Sequence, residues 1–261
     1  MIKMFWLKKI LRKHKDEKFQ EKYPFLILDP RVPMEEELGI QKEDVLQVYN
    51  NYVLVHLNEE LKKHGFEQRG KTQQYYLCLD YGIVAYIEIH RSIKSFSIFD
   101  VYCGFTCLSV ELERWKCQYG NPLLRYTKLP PYSFDTKDEV VAKQSCEIIL
   151  QVIQNEVLPL AESLKNFENA IKLLGRITSF GDWDTALCLC LREGKMEAAK
   201  KELINIKKNN HLNNPSLEDS YNEYVKDKLQ YYEKLIEKGK DVCIKEMLDR
   251  EKQNKKKYKI K

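Results

Sequence analysis

Asp80, Glu88 and His90 come nearest, by type and order, to a reaction centre in this chain. An aspartate, a later glutamate and a basic residue two places on echo the Asp…Glu-x-Lys layout of metal-dependent nucleases. In such enzymes two carboxylates hold one divalent ion that activates water. Both carboxylates must then lie within a few ångströms of the metal. Here "DYG" (80–82) has the composition of a hairpin turn, so Glu88 lies about five residues along the strand beyond it. At ~3.3 Å per residue the separation is roughly 17 Å, too far for one ion. A histidine also stands where the lysine belongs. No Gly-rich phosphate loop, nucleophile elbow, H-E-x-x-H or Walker pattern occurs. The sequence assigns no catalytic residue, no metal ligand and no cofactor.

Two readings remain for the "YIEIHR" edge. Tyr86, Glu88, His90 and Arg91 fall on the less apolar strand face or at its end. The plain reading is a solvated face with cross-strand pairs. The functional one is a recognition surface, since aromatic and arginine side chains make good interface anchors. His56 lies in an apolar helical stripe and reads as a core histidine bonded to backbone.

Eight cysteines are present, and Cys78, Cys103, Cys107, Cys146, Cys188 and Cys190 sit in apolar runs. Buried reduced thiols of a cytoplasmic protein look like this. No C-x-x-C pair or Cys/His cluster at zinc spacing accompanies them.

The formal charge of +5 is unevenly spread. Residues 1–15 carry six basic side chains, Lys8, Lys9 and Arg12 among them, and no acid. Residues 250–261 carry seven, including Lys255, Lys256 and Lys257, against Glu251 alone. Removing these thirteen from 44 basic residues and that one acid from 39 leaves 31 against 38, so residues 16–249 are net −7. An acidic body argues against a broad nucleic-acid face; contact with lipid or nucleic acid falls to the two ends. The N-terminal apolar residues form too short a run to span a membrane, and no small-residue cleavage site follows. That segment reads as a docking helix with solvated lysines or as a basic helix on a membrane surface. "REKQNKKKYKIK" reads as a frayed, solvated tail.

The elements that position these residues are legible from periodicity. Pro24, Pro30 and Pro33 make 17–40 an irregular connector. A helix spans about 42–64, with Val45, Val48, Tyr49, Tyr52, Val53, His56, Leu57 and Leu61 as its stripe and Gly65 as its left-handed stop. The period then becomes two, and a hairpin follows over Gln74–His90. A third strand over 95–110 switches parity between Ile98 and Phe99. Residues 111–135 read as a long loop, and Thr136 with Glu139 as the capping box of a helix over 137–157 that Pro159 ends or kinks. Beyond lie a short helix, a helical hairpin turning at Gly194 and one long final helix from Pro215, weakened at Gly239. The sixteen tyrosines suit amphipathic packing, with wet hydroxyls on buried rings; on the final helix they also suggest a partner groove.

The helix ending "LKKHGF", the turn "RGKTQQYY" and the strand ending "IHRS" together resemble the uncharacterised bacterial domain of unknown function 4304 family. The matching positions are Gly65, Phe66, Arg69, Gly70, Tyr75, Tyr76, His90, Arg91 and Ser92, and "LPLAESLKNFENAIKLL" (158–174) is similar to the family's closing part. The resemblance covers about 50–175. It implies a small α+β domain with helices on an antiparallel sheet, in proteins found among bacterial toxin–immunity and accessory genes. It brings no catalytic residues.

The expected architecture is α+β: an antiparallel sheet of three or more strands packed by helices, then an all-helical C-terminal part. Its divisions are a basic arm and connector (1–40), an α+β domain (41–165), a helical region (166–249) and a basic tail (250–261). The expected function is binding in the cytoplasm. The leading form is an immunity-type or accessory protein whose acidic body pairs with a basic partner protein such as a toxin domain. The alternative acts through the basic termini on a membrane surface or nucleic acid. The oligomeric state is not legible.

Overall fold

The computed structural model describes residues 26–27, 42–91, 97–112, 119–122, 133–174, 183–208 and 219–261. Among these residues the fold is α+β. Seven strands form one antiparallel sheet: β1 (Leu26–Ile27), β2 (Glu67–Gln68), β3 (Gln74–Cys78), β4 (Ile83–Arg91), β5 (Ile98–Cys107), β6 (Tyr119–Pro122) and β7 (Ser133–Asp135). Their order is β1-β7-β5-β4-β3-β2, with β6 also paired to β5. In the antiparallel β5–β7 register Phe99 faces Phe134, and in β1–β7 Phe134 faces Leu26. The span expected as one long loop therefore contains two strands, β6 and β7.

Internal contacts distinguish two compact units. One gathers Met1–Tyr75, Ile87–Cys103 and Gly120–Leu160; the other gathers Tyr76–Tyr86, Gly104–Tyr119 and Ala161–Lys261. The expected boundaries followed chain order, whereas these units take different parts of β3, β4 and β5.

In the first unit α1 (Lys42–Val48) continues through a π turn (Tyr49–Val53) into α2 (Leu54–Lys63). The buried stripe is Val45, Tyr49, Val53, Leu57 and Leu61, spaced uniformly by four. In an α-helix a four-residue step overshoots a full turn by about 40°. The wider π turn absorbs part of that drift and keeps the stripe on the core. His56 is only half-buried and stacks on Tyr52 at 5.7 Å, so it is not the core histidine expected. Gly65 (φ +84) ends the helix: its N–H donates to Lys62 O, and Phe66 N–H donates to Leu61 O.

The helix expected from a Thr136 capping box begins instead at Asp138, whose carboxylate accepts from Val141 N at 2.8 Å. Thr136 is fully buried and fastens its hydroxyl to Ser97 O at 2.9 Å. The register shift turns Val140 outward, and α3 (Glu139–Val152) buries Ala142, Cys146 and Ile149. A second π turn (Ile153–Val157) precedes α4 (Leu158–Ser163), where Pro159 lacks the N–H that a regular ladder needs. Asp138→Ala is expected to lower stability by about 1 kcal/mol in denaturant unfolding, the cost of a lost N-cap. Asp138→Ser should recover most of it.

The second unit holds α5 (Phe167–Leu174), α6 (Thr185–Arg192), α7 (Met196–Lys208), α8 (Asp219–Glu237) and α9 (Lys240–Tyr258). Helix α6 is apolar all round, and every residue from Thr185 to Leu191 is buried. The long final helix of the sequence reading is two helices. Gly239 (φ +95) breaks it, a conformation that an L-residue within a helix does not adopt. The frayed basic tail is a correction too. Residues 250–258 complete α9, and Glu251, Asn254, Tyr258 and Ile260 are buried. Asn254 Nδ2 donates to the carbonyls of Leu108 and Val110 at 2.8 and 2.9 Å, and Tyr258 donates its hydroxyl to Leu112 O at 2.8 Å.

Candidate functional site

The expected recognition edge divides on inspection of burial. Tyr86 is only 4 % exposed and cannot present its ring, because Ile83 to Ile87 are buried on both strand faces. Glu88 accepts from Gln74 Nε2 and lies 3.1 Å from His90 Nε2. The His90 ring stands edge-on to Tyr102 at 5.6 Å, and Arg91 is exposed at the strand end. Three of the four residues thus form a small polar edge of the first unit. Among the described residues no group of three or more His, Cys, Asp or Glu is placed to hold a metal ion.

The basic-end residues fare differently. Lys8, Lys9 and Arg12 lie outside the described residues. Lys255 pairs with Glu251 at 2.8 Å, Lys257 donates to Leu112 O at 2.7 Å, and Lys256 is exposed.

A larger feature stands within the second unit. A cleft of about 720 Å³ opens between α8, α9 and residues 110–112. Helix α8 lines it with Tyr224, Asp227, Lys228 and Tyr231; α9 adds Glu246, Asp249, Arg250 and Gln253. Lys228 among these belongs to a buried ion pair. Lys228 Nζ, on a side chain only 7 % exposed, lies 2.9 Å from Asp184 Oδ2, whose side chain is 1 % exposed. Tyr232 donates its hydroxyl to the same oxygen at 2.5 Å, and Cys188 Sγ lies 3.1 Å from that hydroxyl. Asp184 precedes α6 but does not cap it with its side chain; the carboxylate serves Lys228 and Tyr232 instead. Its Oδ1 has no hydrogen-bond partner among the described residues.

The electrostatics follow from burial. Burial alone would lower the Lys228 pKa, but the charge and hydrogen bond of Asp184, with Tyr224 after them, together raise the ammonium above its ordinary value. Burial first, then the Asp184 charge, pushes the Tyr232 hydroxyl and the Cys188 thiol well above theirs. Cys188 is therefore a protonated, inert thiol. Tyr231 rises to about 12, through burial and then its hydrogen bond to Glu246 at 2.7 Å.

These raised values give a pH prediction. A group whose pKa folding raises stabilises fully below its unfolded value and loses that stabilisation as pH rises through the folded one. Stability should therefore fall from the ordinary tyrosine value of about 10 upward, across a window reaching at least about 12 for Tyr231. Ultraviolet titration of phenolate should show Tyr231 and Tyr232 ionising late, together with loss of the far-ultraviolet helix signal. Ionisation of all tyrosines at the ordinary value, with the fold intact, would contradict this burial.

The cleft also separates used charges from unused ones. Lys228 is committed to Asp184 and sits 5.4 Å over the Tyr224 ring. Arg250 lies 3.4 Å from Glu246 and 5.0 Å over the Tyr231 ring. Lys257 is committed to Leu112 O. By contrast Asp227 and Asp249 have no ion-pair partner among the described residues, and Glu111, 60 % exposed, approaches Lys228 only at 3.9 Å. Carboxylates of Glu111, Asp227 and Asp249 and the rings of Tyr224 and Tyr231 thus stand among its lining.

Comparison with known proteins finds no match. No family model, curated protein or solved structure corresponds to the chain.

The sequence suggested a partner groove from the tyrosines of the final helix but missed the Lys228–Asp184 pair there, although a signal for that pair exists. Lys228 shares the apolar stripe of Val225, Leu229, Tyr232 and Leu235, where a charge survives only with a buried partner. Glu251 and Asn254 hold equivalent places between Met247 and Tyr258. No helix among the described residues is long and apolar enough to cross a membrane.

Proposed function

We propose that this chain is a non-catalytic binding protein of the cytoplasm that takes a basic partner protein through the cleft of its second unit. The carrying observation is the division of charge there. The cleft's cations are satisfied from within, whereas Asp227 and Asp249 have no ion-pair partner among the described residues, and exposed Glu111 meets Lys228 only at 3.9 Å. A surface of that kind attracts positive charge and gains specificity from it. Because residues 250–261 (seven basic, one acidic) belong to the fold, residues 16–261 are only net −1, so the attraction is local to the rim. The resemblance of residues 50–175 to the domain of unknown function 4304 family supports an immunity-type or accessory role, with a toxin domain as the basic partner.

The alternative, action through basic termini on lipid or nucleic acid, rests on Lys8, Lys9, Arg12 and the exposed Lys256. It has less behind it, because Lys255 and Lys257 are engaged within the fold. Capture of the tagged chain from its native cells, nuclease-treated and at moderate salt, separates the two readings. The proposal expects one basic protein in stoichiometric amount, lost when Glu111, Asp227 and Asp249 are replaced by lysine. Lipid or ribosomal material alone would overturn it.

A further inference from the structure

The cleft between α8, α9 and residues 110–112 restricts the shape of what enters it as well as the charge. Its helical walls line it at steps of mostly three or four residues, from Tyr224 to Tyr231 on α8 and from Glu246 to Lys257 on α9. At 1.5 Å per residue these stretches run about 10 Å and about 16 Å, or two to three turns. The third wall is irregular chain, and its acceptors are engaged. Val110 O accepts from Asn254 Nδ2 at 2.9 Å, and Leu112 O accepts from both Lys257 Nζ and the Tyr258 hydroxyl, at 2.7 and 2.8 Å. The ring faces are engaged too, Tyr224 under Lys228 and Tyr231 under Arg250. What meets an incoming cation is carboxylate: Asp227 on α8 and Asp249 on α9, without ion-pair partners among the described residues, and Glu111, 60 % exposed.

We infer that the element of the partner protein seated in this cleft is an α-helix carrying a stripe of basic residues. This deepens the basic-partner reading and rests on it. An extended segment brings backbone N–H and C=O groups that need partners once covered, and it commonly finds them on the edge of a sheet. Among the described residues no strand lines the cleft. Two of its walls are helices, whose backbone bonds are internal, and the carbonyls of Val110 and Leu112 are already bonded. A helix satisfies its own backbone and meets a groove through side chains at i, i+3, i+4 and i+7 alone. Basic residues one turn apart on such a helix face carboxylates on both helical walls.

The test is calorimetry of the full chain with three synthetic peptides of equal length and charge. The first is an alanine–lysine helix with lysine at every fourth position, held helical by a hydrocarbon staple on its alanine side. The second is an equally stapled helix of the same composition with its lysines spread around all faces. The third is the first sequence without the staple and with two central alanines replaced by proline. The striped helix is expected to bind roughly tenfold more tightly than either of the others, since its shape is already formed and its charges face one way. Glu111→Gln with Asp227→Asn and Asp249→Asn, all conservative changes at exposed positions, should weaken the striped helix most and bring it to the level of the spread one. Equal affinity for the three peptides, each weakened by the neutral variants, would overturn the helix inference and leave a basic partner in place. Tighter binding of the proline peptide would overturn it in favour of an extended segment. Binding of none would also overturn it; capture of a basic protein sensitive to the lysine replacements would then decide separately whether the basic-partner reading stands.

Discussion

Lys228→Met is expected to destabilise the protein by about 3–5 kcal/mol in denaturant unfolding, and adding Asp184→Leu should restore most of that loss. The expectation follows from where the pair sits. Both side chains are almost fully buried, 2.9 Å apart, so removing the lysine leaves a carboxylate in a poorly polarisable interior with Tyr232 as its remaining close donor. An uncompensated buried charge is among the costliest single defects. Replacing both partners by apolar groups of similar volume removes the charge with its counter-charge, which is often neutral for stability. Tyr232 keeps Cys188 Sγ and an Arg250 nitrogen within reach, at 3.1 and 3.3 Å, so its hydroxyl is not orphaned in the double variant. A single variant costing under about 1 kcal/mol would mean that water reaches Asp184.

Gly82→Ala should cost about 3 kcal/mol, far more than an ordinary turn substitution. Gly82 has φ +68 after Tyr81 at +60, the paired positive-φ geometry of a two-residue hairpin turn. A left-handed alanine alone costs roughly 1–2 kcal/mol. The added Cβ would also meet Glu251 Oε2 at 2.6 Å and Arg192 Nε at 3.2 Å. Glu251 cannot move freely, because it holds Arg192 at 2.9 Å and Lys255 at 2.8 Å. Burial alone would raise its pKa, yet Lys255 and Arg192 hold it below the ordinary carboxylate value. In the Glu251→Ala background the added cost of Gly82→Ala should fall toward the backbone cost alone, a coupling that a double-mutant cycle reads directly. Strict additivity would contradict the contact.

These two sites mark where the sequence stopped being legible. Gly65 and the "DYG" turn announced themselves, because a glycine after a periodic stripe and a turn between alternating runs each have one local cause. The contact of Gly82 with Glu251 has none, since it depends on how α9 returns along residues 108–112. The run "IVAYI" could have corrected Tyr86: a strand apolar at successive positions is covered on both faces. A uniform spacing of four in Val45, Tyr49, Val53, Leu57 and Leu61 likewise signalled the π turn. The break at Gly239 was read as a weak helix because local propensity there is tolerable; the packing of α8 and α9 decides it. Thr136 has a capping box's spacing, but its buried bond to Ser97 takes the hydroxyl away, and Asp138 caps instead. The tyrosines of the final helix hinted at a groove, but its charge pattern was out of reach of motif reading, because its residues come from three separated segments whose charges have meaning only once Lys228 and Arg250 are known to be satisfied.

On the proposed function, exposed carboxylates at the cleft rim recruit a basic protein. Calorimetric titration of the captured partner with the wild-type chain and with the Glu111→Lys, Asp227→Lys, Asp249→Lys chain tests it most directly, after circular dichroism has verified that both are folded. Affinity is expected to be weaker by about 100-fold or more for the lysine chain, and wild-type affinity to fall steeply with added salt. Equal affinity for the two chains, insensitive to salt, would contradict it.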